Sequence, residues 1–454
     1  MQPAAKSRSH ASDRPEALAR SFTLLPDEIS RQAQKLQRQM NWLRIGAPNS
    51  HHKQASEVSR LRRVNNAPHS ANAFRLIVTG GGTGGHTYPA LTAIRALQER
   101  LAIAGRTLDV LWIGTTDGLE ARIAPAEGIA FAAVATGKIR RSSNPLKMMS
   151  TANMKDMARV PLGVAQARKL IADFRPDVVL ATGGYVAVPA GLAARLCRRP
   201  LVLHEQTVRL GLANRKLAGS ATRIAVSSES TVALLPEAVR GLAVVTGNPV
   251  RPQVLTGHAD KAVEALGLHG FDRQLPTVYV TGGAQGAQQI NGIVRDALPW
   301  LLGRANVIHQ CGPDNVAGLQ AHAATLPVEL AGRYCLTGFV GPELPDVLAL
   351  ADVVVSRSGA GTLAELTALG KPAVFVPLAT SAGNEQAHNA RHLEEAGAAV
   401  ALLGDVTAER LKDAVGTLLT APARRAAMAA RSREHGRPDA ADRLVDVVLS
   451  AASS

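Results

Sequence analysis

The chain builds the same arrangement twice: a short apolar run, a glycine-rich turn and an amphipathic stretch. It reads "IVTGGGTGGHTYPA" the first time and "VYVTGGAQGAQQIN" the second. A strand that enters a helix through bare backbone leaves the amides of the helix N-terminus open to an anion. Around each opening, apolar runs alternate with helical segments. The first half has "FRLIVTG", "LDVLWIG", "PDVVLATGGY", "PLVLHEQ" and "TRIAVSS"; the second has "TVYVT", "ANVIHQCG", "YCLTGFV", "ADVVVSRSG" and "PAVFVPL". Runs that are apolar throughout belong to strands covered on both faces, which means a parallel sheet between helices. The α/β class follows, with two Rossmann-like doubly wound domains in tandem. A ligand in such folds lies at the carboxyl ends of the strands, here in a cleft between the domains.

The segment "VVTGNPVRPQV" divides the two, giving an N-terminal domain over 74–248 and a C-terminal domain over 249–454 whose last helices are expected to pack back. Residues 1–73 read as a basic, flexible extension with twelve Lys/Arg against five Asp/Glu. Within it only "PDEISRQAQKLQRQMNWLRI" has helical spacing, through Ile29, Leu36, Met40 and Leu43. The net charge of +15 asks for an anionic partner. Aromatics are only 3% and do not alternate with arginines as base-stacking surfaces do, which argues against nucleic acid and for phospholipid or a phosphorylated substrate. No run approaches the roughly 18 apolar residues of a membrane span. Met1–Arg20 lacks an apolar signal region, and Cys197, Cys311 and Cys335 are scattered without ligand spacing. A reduced, cytoplasmic setting is expected.

Gly80, Gly82 and Gly85 formally satisfy the dinucleotide fingerprint, but the second strand ends "WIGTTDG" where an acid should hold a ribose. No nicotinamide or flavin cofactor is therefore expected. His86, at the helix entrance beside the bare backbone, suits a general base or a capping histidine. In "SRSGAGTLAELTALGKP", Ser356, Ser358 and Thr362 suit helix caps, and Arg357 follows a strand where a phosphate could lie. Glu365 stands three residues after Thr362, the spacing of a capping box, and equally suits a ribose-binding carboxylate. Glu205 and Gln206 are polar site residues or loop. Arg251 follows the inter-domain turn, where a cation facing the cleft is expected. Gln386 and Asn389, one helical face, suit sugar hydroxyls. With no Asp-x-Asp pair in the chain, no metal is expected, and leaving-group charge falls to helix N-termini and arginine.

Seven motifs in order, "GGTGGHTYPA", "GGYVAVPAGLAA", "HEQ…GLANR", "GNPVR", "TGGAQGA", "SRSGAGTLAE" and "NEQAHNA", closely resemble the MurG family over about Arg75 to Val447. The resemblance implies the GT-B architecture and an inverting, metal-independent transfer. N-acetylglucosamine would move from UDP-N-acetylglucosamine to undecaprenyl-diphosphate-linked muramyl-pentapeptide, a step of peptidoglycan synthesis at the cytoplasmic face of a bacterial membrane. It puts Thr83, Gly84, Gly85 and His86 beside the sugar and the acceptor diphosphate, with His86 as the base. Arg251 and Arg357 match arginines near the donor. Ala360, Gly361, Thr362, Leu363, Ala364 and Glu365 match a helix start holding it, with Glu365 on the ribose. Gln386 matches a sugar contact and Asn389 joins the donor set. Ala284, Gln285 and Gly286 lie in the diphosphate loop, and Val340 offers backbone to the uracil.

The chain departs from the family at Thr207 for an asparagine, at Ala284 for a serine, and at Gly383 and Glu385. Each hydrogen bond lost to a charged diphosphate costs about 1.5–3 kcal/mol. Two alternatives follow: a MurG-like paralogue acting on a specialised metabolite or another lipid, and a non-catalytic basic Rossmann-type binding protein. Lys138, Arg140, Arg141 and Lys147, beside Leu146, Met148 and Met149, suit an anionic membrane surface or a solvated loop.

Overall fold

The computed structural model describes residues 72–137 and 151–453. The extension with its helical stretch, and the cationic residues Lys138, Arg140, Arg141 and Lys147, lie outside the described residues. The described chain resumes at Thr151, the first residue of a 24-residue helix.

The first sheet contains β1 (Ala73–Gly80), β2 (Thr107–Gly114), β3 (Ala130–Ala133), β4 (Val178–Gly183), β5 (Leu201–Glu205), β6 (Arg223–Val226) and β7 (Ala243–Val245) in the order β3-β2-β1-β4-β5-β6-β7. The second contains β8 (Thr277–Thr281), β9 (Asn306–Gln310), β10 (Tyr334–Thr337), β11 (Val353–Ser356), β12 (Ala373–Phe375) and β13 (Val400–Ala401), ordered β10-β9-β8-β11-β12-β13. Every strand pair is parallel. Both sheets wind the same way and reverse at their centres, between β1 and β4 and between β8 and β11. Those reversals open a crevice at the strand carboxyl ends. The strands form here because Leu76, Ile77 and Val78, like Val353, Val354 and Val355, are at most 1% exposed, so both faces of each strand are apolar and covered.

Seven helices matter below: α1 (Gly84–Ile103), α2 (Thr151–Phe174), α3 (Gln288–Leu302), α4 (Ala360–Leu369), α5 (Glu385–Glu395), α6 (Pro422–His435) and α7 (Ala440–Ala452). The last one packs back, as expected of the C-terminal helices, and the sheet that receives it is the first. Leu444, Val445 and Val448 of α7 pack with Val78, Leu97, Trp112 and Leu180 in the core of the first domain. Residues 440, 441, 444, 445, 447, 448 and 451 form a broad buried stripe, the pattern of a helix pressed onto a sheet. Among the described residues no helix is long and apolar enough to cross a membrane.

Candidate active site at the strand carboxyl ends

Each candidate residue follows the carboxyl end of a strand: His86 after β1, Gln206 after β5, Ala284–Gly286 after β8, Val340 after β10, Arg357–Glu365 after β11 and Gln386–Asn389 after β12. Gln206, Gly247 and Asn248 from the first domain line one cavity with Ala360, Leu363, Ala364 and Asn389 from the second. Both domains wall this cavity, and Ala360, Leu363, Ala364 and Asn389 of the candidate set line it, whereas His86, Arg251, Arg357, Glu365 and Gln386 lie outside its lining.

The first glycine loop is shaped by packing as well as by ligand access. A Cβ on Gly80 would fall 2.0 Å from Thr182 Oγ1, and one on Gly81 2.1 Å from the Glu120 carboxyl carbon. Around Gly82 there is open space, but its φ of +82° favours glycine. Glu120, fully buried, accepts from the Gly82 N–H at 2.8 Å and from the Thr115 N–H and hydroxyl at 2.9 Å. Trp112 donates its indole N–H to the Gly80 carbonyl at 3.0 Å. A buried carboxylate thus ties down the loop from behind. Nothing in its local pattern, "GLEARI", distinguishes it from a surface glutamate at a helix start.

α1 opens at Thr83 with no side-chain cap, so the Gly84 and Gly85 amides are left to the crevice. His86 is not the cap. Its Nδ1 lies 2.9 Å from Gln206 Oε1, and its ring sits against Gly183, where a Cβ would approach Cε1 to 2.9 Å. Gln206 Nε2 lies 3.0 Å from Nδ1 of His204, whose Nε2 lies 3.2 Å from the Gly247 carbonyl oxygen. Burial holds the His204 pKa at about 4, so the ring stays neutral. His204 carries no warning in the sequence beyond its place before Glu205 and Gln206.

Glu205 is also buried, and it organises the loop after β5. Its carboxylate accepts from the Thr207 N–H and hydroxyl, the Gly211 N–H at 2.8 Å and the Asn214 amide at 2.9 Å. The Thr207 hydroxyl, 2.7 Å from that carboxylate, is therefore occupied inside its own domain.

In the second domain the capping-box assignment is overturned. α4 begins after Gly359 with no side-chain cap, which places Thr362 and Glu365 inside the helix. Glu365 instead meets Arg251, whose Nε and second guanidinium nitrogen reach Oε1 at 2.9 and 2.8 Å. Ser356 and Ser358 do not cap either: their hydroxyls donate to the carbonyls of Arg357 and Gln386. Arg357 donates to Gln289 on α3 and to the carbonyls of Val376 and Pro377, and burial lowers its pKa. Asn389 donates to the Ser358 carbonyl and accepts the Val208 N–H at 3.4 Å, so it bridges the domains. Gln386 accepts from the Leu378 N–H, leaving its amide nitrogen. The Val340 N–H is donated to Gln310, leaving its carbonyl. Ala284 and Gln285 are exposed on the second glycine loop, and Gly286 is packed so closely that a Cβ would meet the Cys311 carbonyl at 1.7 Å. The arrangement offers uncapped helix starts for anionic oxygens, a paired carboxylate for hydroxyls, and an imidazole between the sheets.

Residues 76–226 match the N-terminal domain of glycosyltransferase family 28, and residues 277–444 match its C-terminal domain. A protein of Lacticaseibacillus casei (strain BL23) named UDP-N-acetylglucosamine–N-acetylmuramyl-(pentapeptide) pyrophosphoryl-undecaprenol N-acetylglucosamine transferase is 35% identical over 378 residues, 83% of this chain and 98% of that protein. Its namesake from Moorella thermoacetica (strain ATCC 39073 / JCM 9320) is 36% identical over 387 residues, 84% of this chain and all of that one. The crystal structure of Acinetobacter baumannii MurG superposes with a TM-score of 0.64 at 28% identity, covering 83% of this chain and 99% of that one. With both halves matched in order and relatives 35–36% identical over 83–84% of its length, the chain belongs to the MurG family of glycosyltransferase family 28 and is a GT-B N-acetylglucosaminyltransferase.

Proposed function

We propose that the chain transfers N-acetylglucosamine from UDP-N-acetylglucosamine to the lipid-linked muramyl-pentapeptide, in one inverting displacement. The acceptor hydroxyl attacks C1 of the sugar, the bond from C1 to the diphosphate oxygen breaks, and UDP leaves. His86 takes the acceptor proton. Helix starts at α4 and at the second glycine loop, together with Arg251, meet the charge that develops on the diphosphate. Glu365 receives the ribose hydroxyls through Oε2, since Arg251 engages Oε1. The observation that carries this reading is His86 itself, its ring set against bare Gly183 at the reversal of the first sheet and 2.9 Å from Gln206, which lines a cavity with residues of the uncapped α4.

The decisive measurement is UDP release with and without a short-chain lipid-linked acceptor, for wild type and His86→Ala. Acceptor-dependent release that His86→Ala lowers at least 100-fold is expected. Donor binding without release would favour a paralogue with another acceptor, and unchanged release in His86→Ala would remove the base assignment. The membrane part of the proposal rests on the cationic stretch Lys138–Lys147 and the net charge of +15. Sedimentation with vesicles containing anionic phospholipid should fall as salt rises; retention on neutral vesicles at equal strength would refute an electrostatic attachment.

A further inference from the structure

The row from His86 to the inter-domain linker has a direction, and chemistry alone sets it. Gln206 Nε2 lies 2.9 Å from the backbone carbonyl oxygen of His204. A carbonyl only accepts, so that end of the amide is the nitrogen, and the oxygen is the end facing His86. An amide oxygen also only accepts. Nδ1 of His86, 2.9 Å away, therefore carries a proton, and of the two neutral tautomers this contact admits only the one whose Nε2 keeps its lone pair. The second hydrogen of the same Gln206 nitrogen points to Nδ1 of His204 at 3.0 Å, which must accept. His204 is then protonated on Nε2 and donates to the Gly247 carbonyl at 3.2 Å, an oxygen that Thr246 Oγ1 also reaches at 3.0 Å. Four groups in sequence have no consistent alternative among these contacts.

We infer that His204 and the linker carbonyl of Gly247 are positioning groups for the transfer: through Gln206 they fix which ring nitrogen of His86 carries the proton. His204 is wholly buried and touches no candidate substrate position, so its part is played through Gln206. The spacing is local: His204 lies in β5 and Gln206 is the first residue past its carboxyl end, close enough for its amide to reach both the ring and the carbonyl of His204. Gly247 sits between the two domains with φ of +83°, so the direction of its carbonyl is a property of the linker. Imidazole without such a partner exchanges between two neutral tautomers, and only the one protonated on Nδ1 both satisfies Gln206 and leaves Nε2 free to act as a base. The catalytic purpose of the row rests on His86 being the base, as proposed above.

The test is the ¹⁵N spectrum of histidine-labelled full-length protein at neutral pH without substrate, with the His86 signals assigned from His86→Gln. His86 is expected with a protonated Nδ1 and an unprotonated Nε2. Two replacements of His204 separate positioning from packing. His204→Gln can accept from Gln206 and donate to Gly247, and is expected to keep the tautomer and most of the turnover. His204→Leu fills the apolar space but breaks the row. It is expected to shift His86 toward the Nε2-protonated form and to lower kcat about 100-fold, with the KM of either substrate changed less than about twofold. A protonated Nε2 in the wild type, or a tautomer and kcat unchanged in His204→Leu, overturns the inference. So does His204→Leu outperforming His204→Gln, since that is the order packing alone predicts. Turnover kept by His86→Ala would overturn the catalytic purpose instead, and the substrate-free tautomer tells that failure apart from failure of the row.

Discussion

Glu365 is mostly buried, and burial raises its carboxyl pKa although Arg251 pulls the other way. Arg251 is 42% exposed, so their pairing contributes no more than about 1 kcal/mol to stability. A carboxylate held at such a position for folding alone would be a poor bargain, whereas hydroxyls bound by it gain charge-assisted hydrogen bonds of about 1.5–3 kcal/mol. Glu365→Gln is therefore expected to change unfolding free energy by less than about 1 kcal/mol while weakening donor binding roughly 10- to 100-fold. Urea unfolding and calorimetric titration with UDP-N-acetylglucosamine decide it; a large stability loss with donor affinity intact would make the residue structural. Position was legible wherever a motif fixed it: His86 and Glu365 both follow the carboxyl end of a strand, as their motifs indicate. Hydrogen-bond partners were not. The same "HEQT" that announces a site conceals that Glu205 turns inward on Thr207, because inward and outward side chains share one sequence signal.

At the scale of elements, the longer strands and the helices after the two glycine turns could be read from apolar runs. β3, β7 and β13 could not: "AFAA", "AVV" and "VA" are too short for periodicity and lie at or near sheet edges. Nor could sequence show how the first glycine turn is held. Gly183 illustrates the difference. Its φ is +105° and its missing Cβ makes room for the His86 ring, so Gly183→Ala meets backbone strain and a ring at 2.9 Å together. It should cost about 1–3 kcal/mol of stability and lower kcat by more than tenfold, with donor affinity preserved, as read by thermal unfolding and steady-state kinetics. Normal turnover would mean the ring has room to move. Glu120→Gln tests the same turn from behind. A glutamine can still accept from Thr115 but sets an NH₂ against the Gly82 N–H, two donors facing each other. The loop should shift and the acceptor KM rise while the donor KM holds; equal changes in both would point to general loosening.

Across the whole molecule the division into halves was legible, as was the return of the last helices, but not which sheet receives them. The repeat of strand, glycine turn and helix announces two similar sheets, but the amphipathic stripe of α7 fits either sheet equally well by pattern, and contact chooses the first. One charge property spans both halves. His204 in the first sheet and His309 in the second are each held neutral by burial, with pKa values near 4 against an ordinary value of about 6.5. His309 is fixed by Tyr334 at 3.0 Å and Asn291 at 3.1 Å, so neither ring can simply turn to water. The unfolded chain binds protons there that the folded chain refuses. Stability should be complete above pH 6.5 and fall as the pH drops toward 4, by about 2 kcal/mol for each histidine at pH 5. Urea midpoints measured between pH 7.5 and 5 should decline steadily, and His309→Gln, which can still bridge Asn291 and Tyr334 without titrating, should make the slope shallower without removing it, since burial lowers the pKa of His388, His392 and His435 as well. A flat profile in the wild type would mean that the rings are protonated or solvated in the folded state. The row from His86 to the linker could not then hold its direction, since a doubly protonated His204 has no nitrogen left to accept from Gln206.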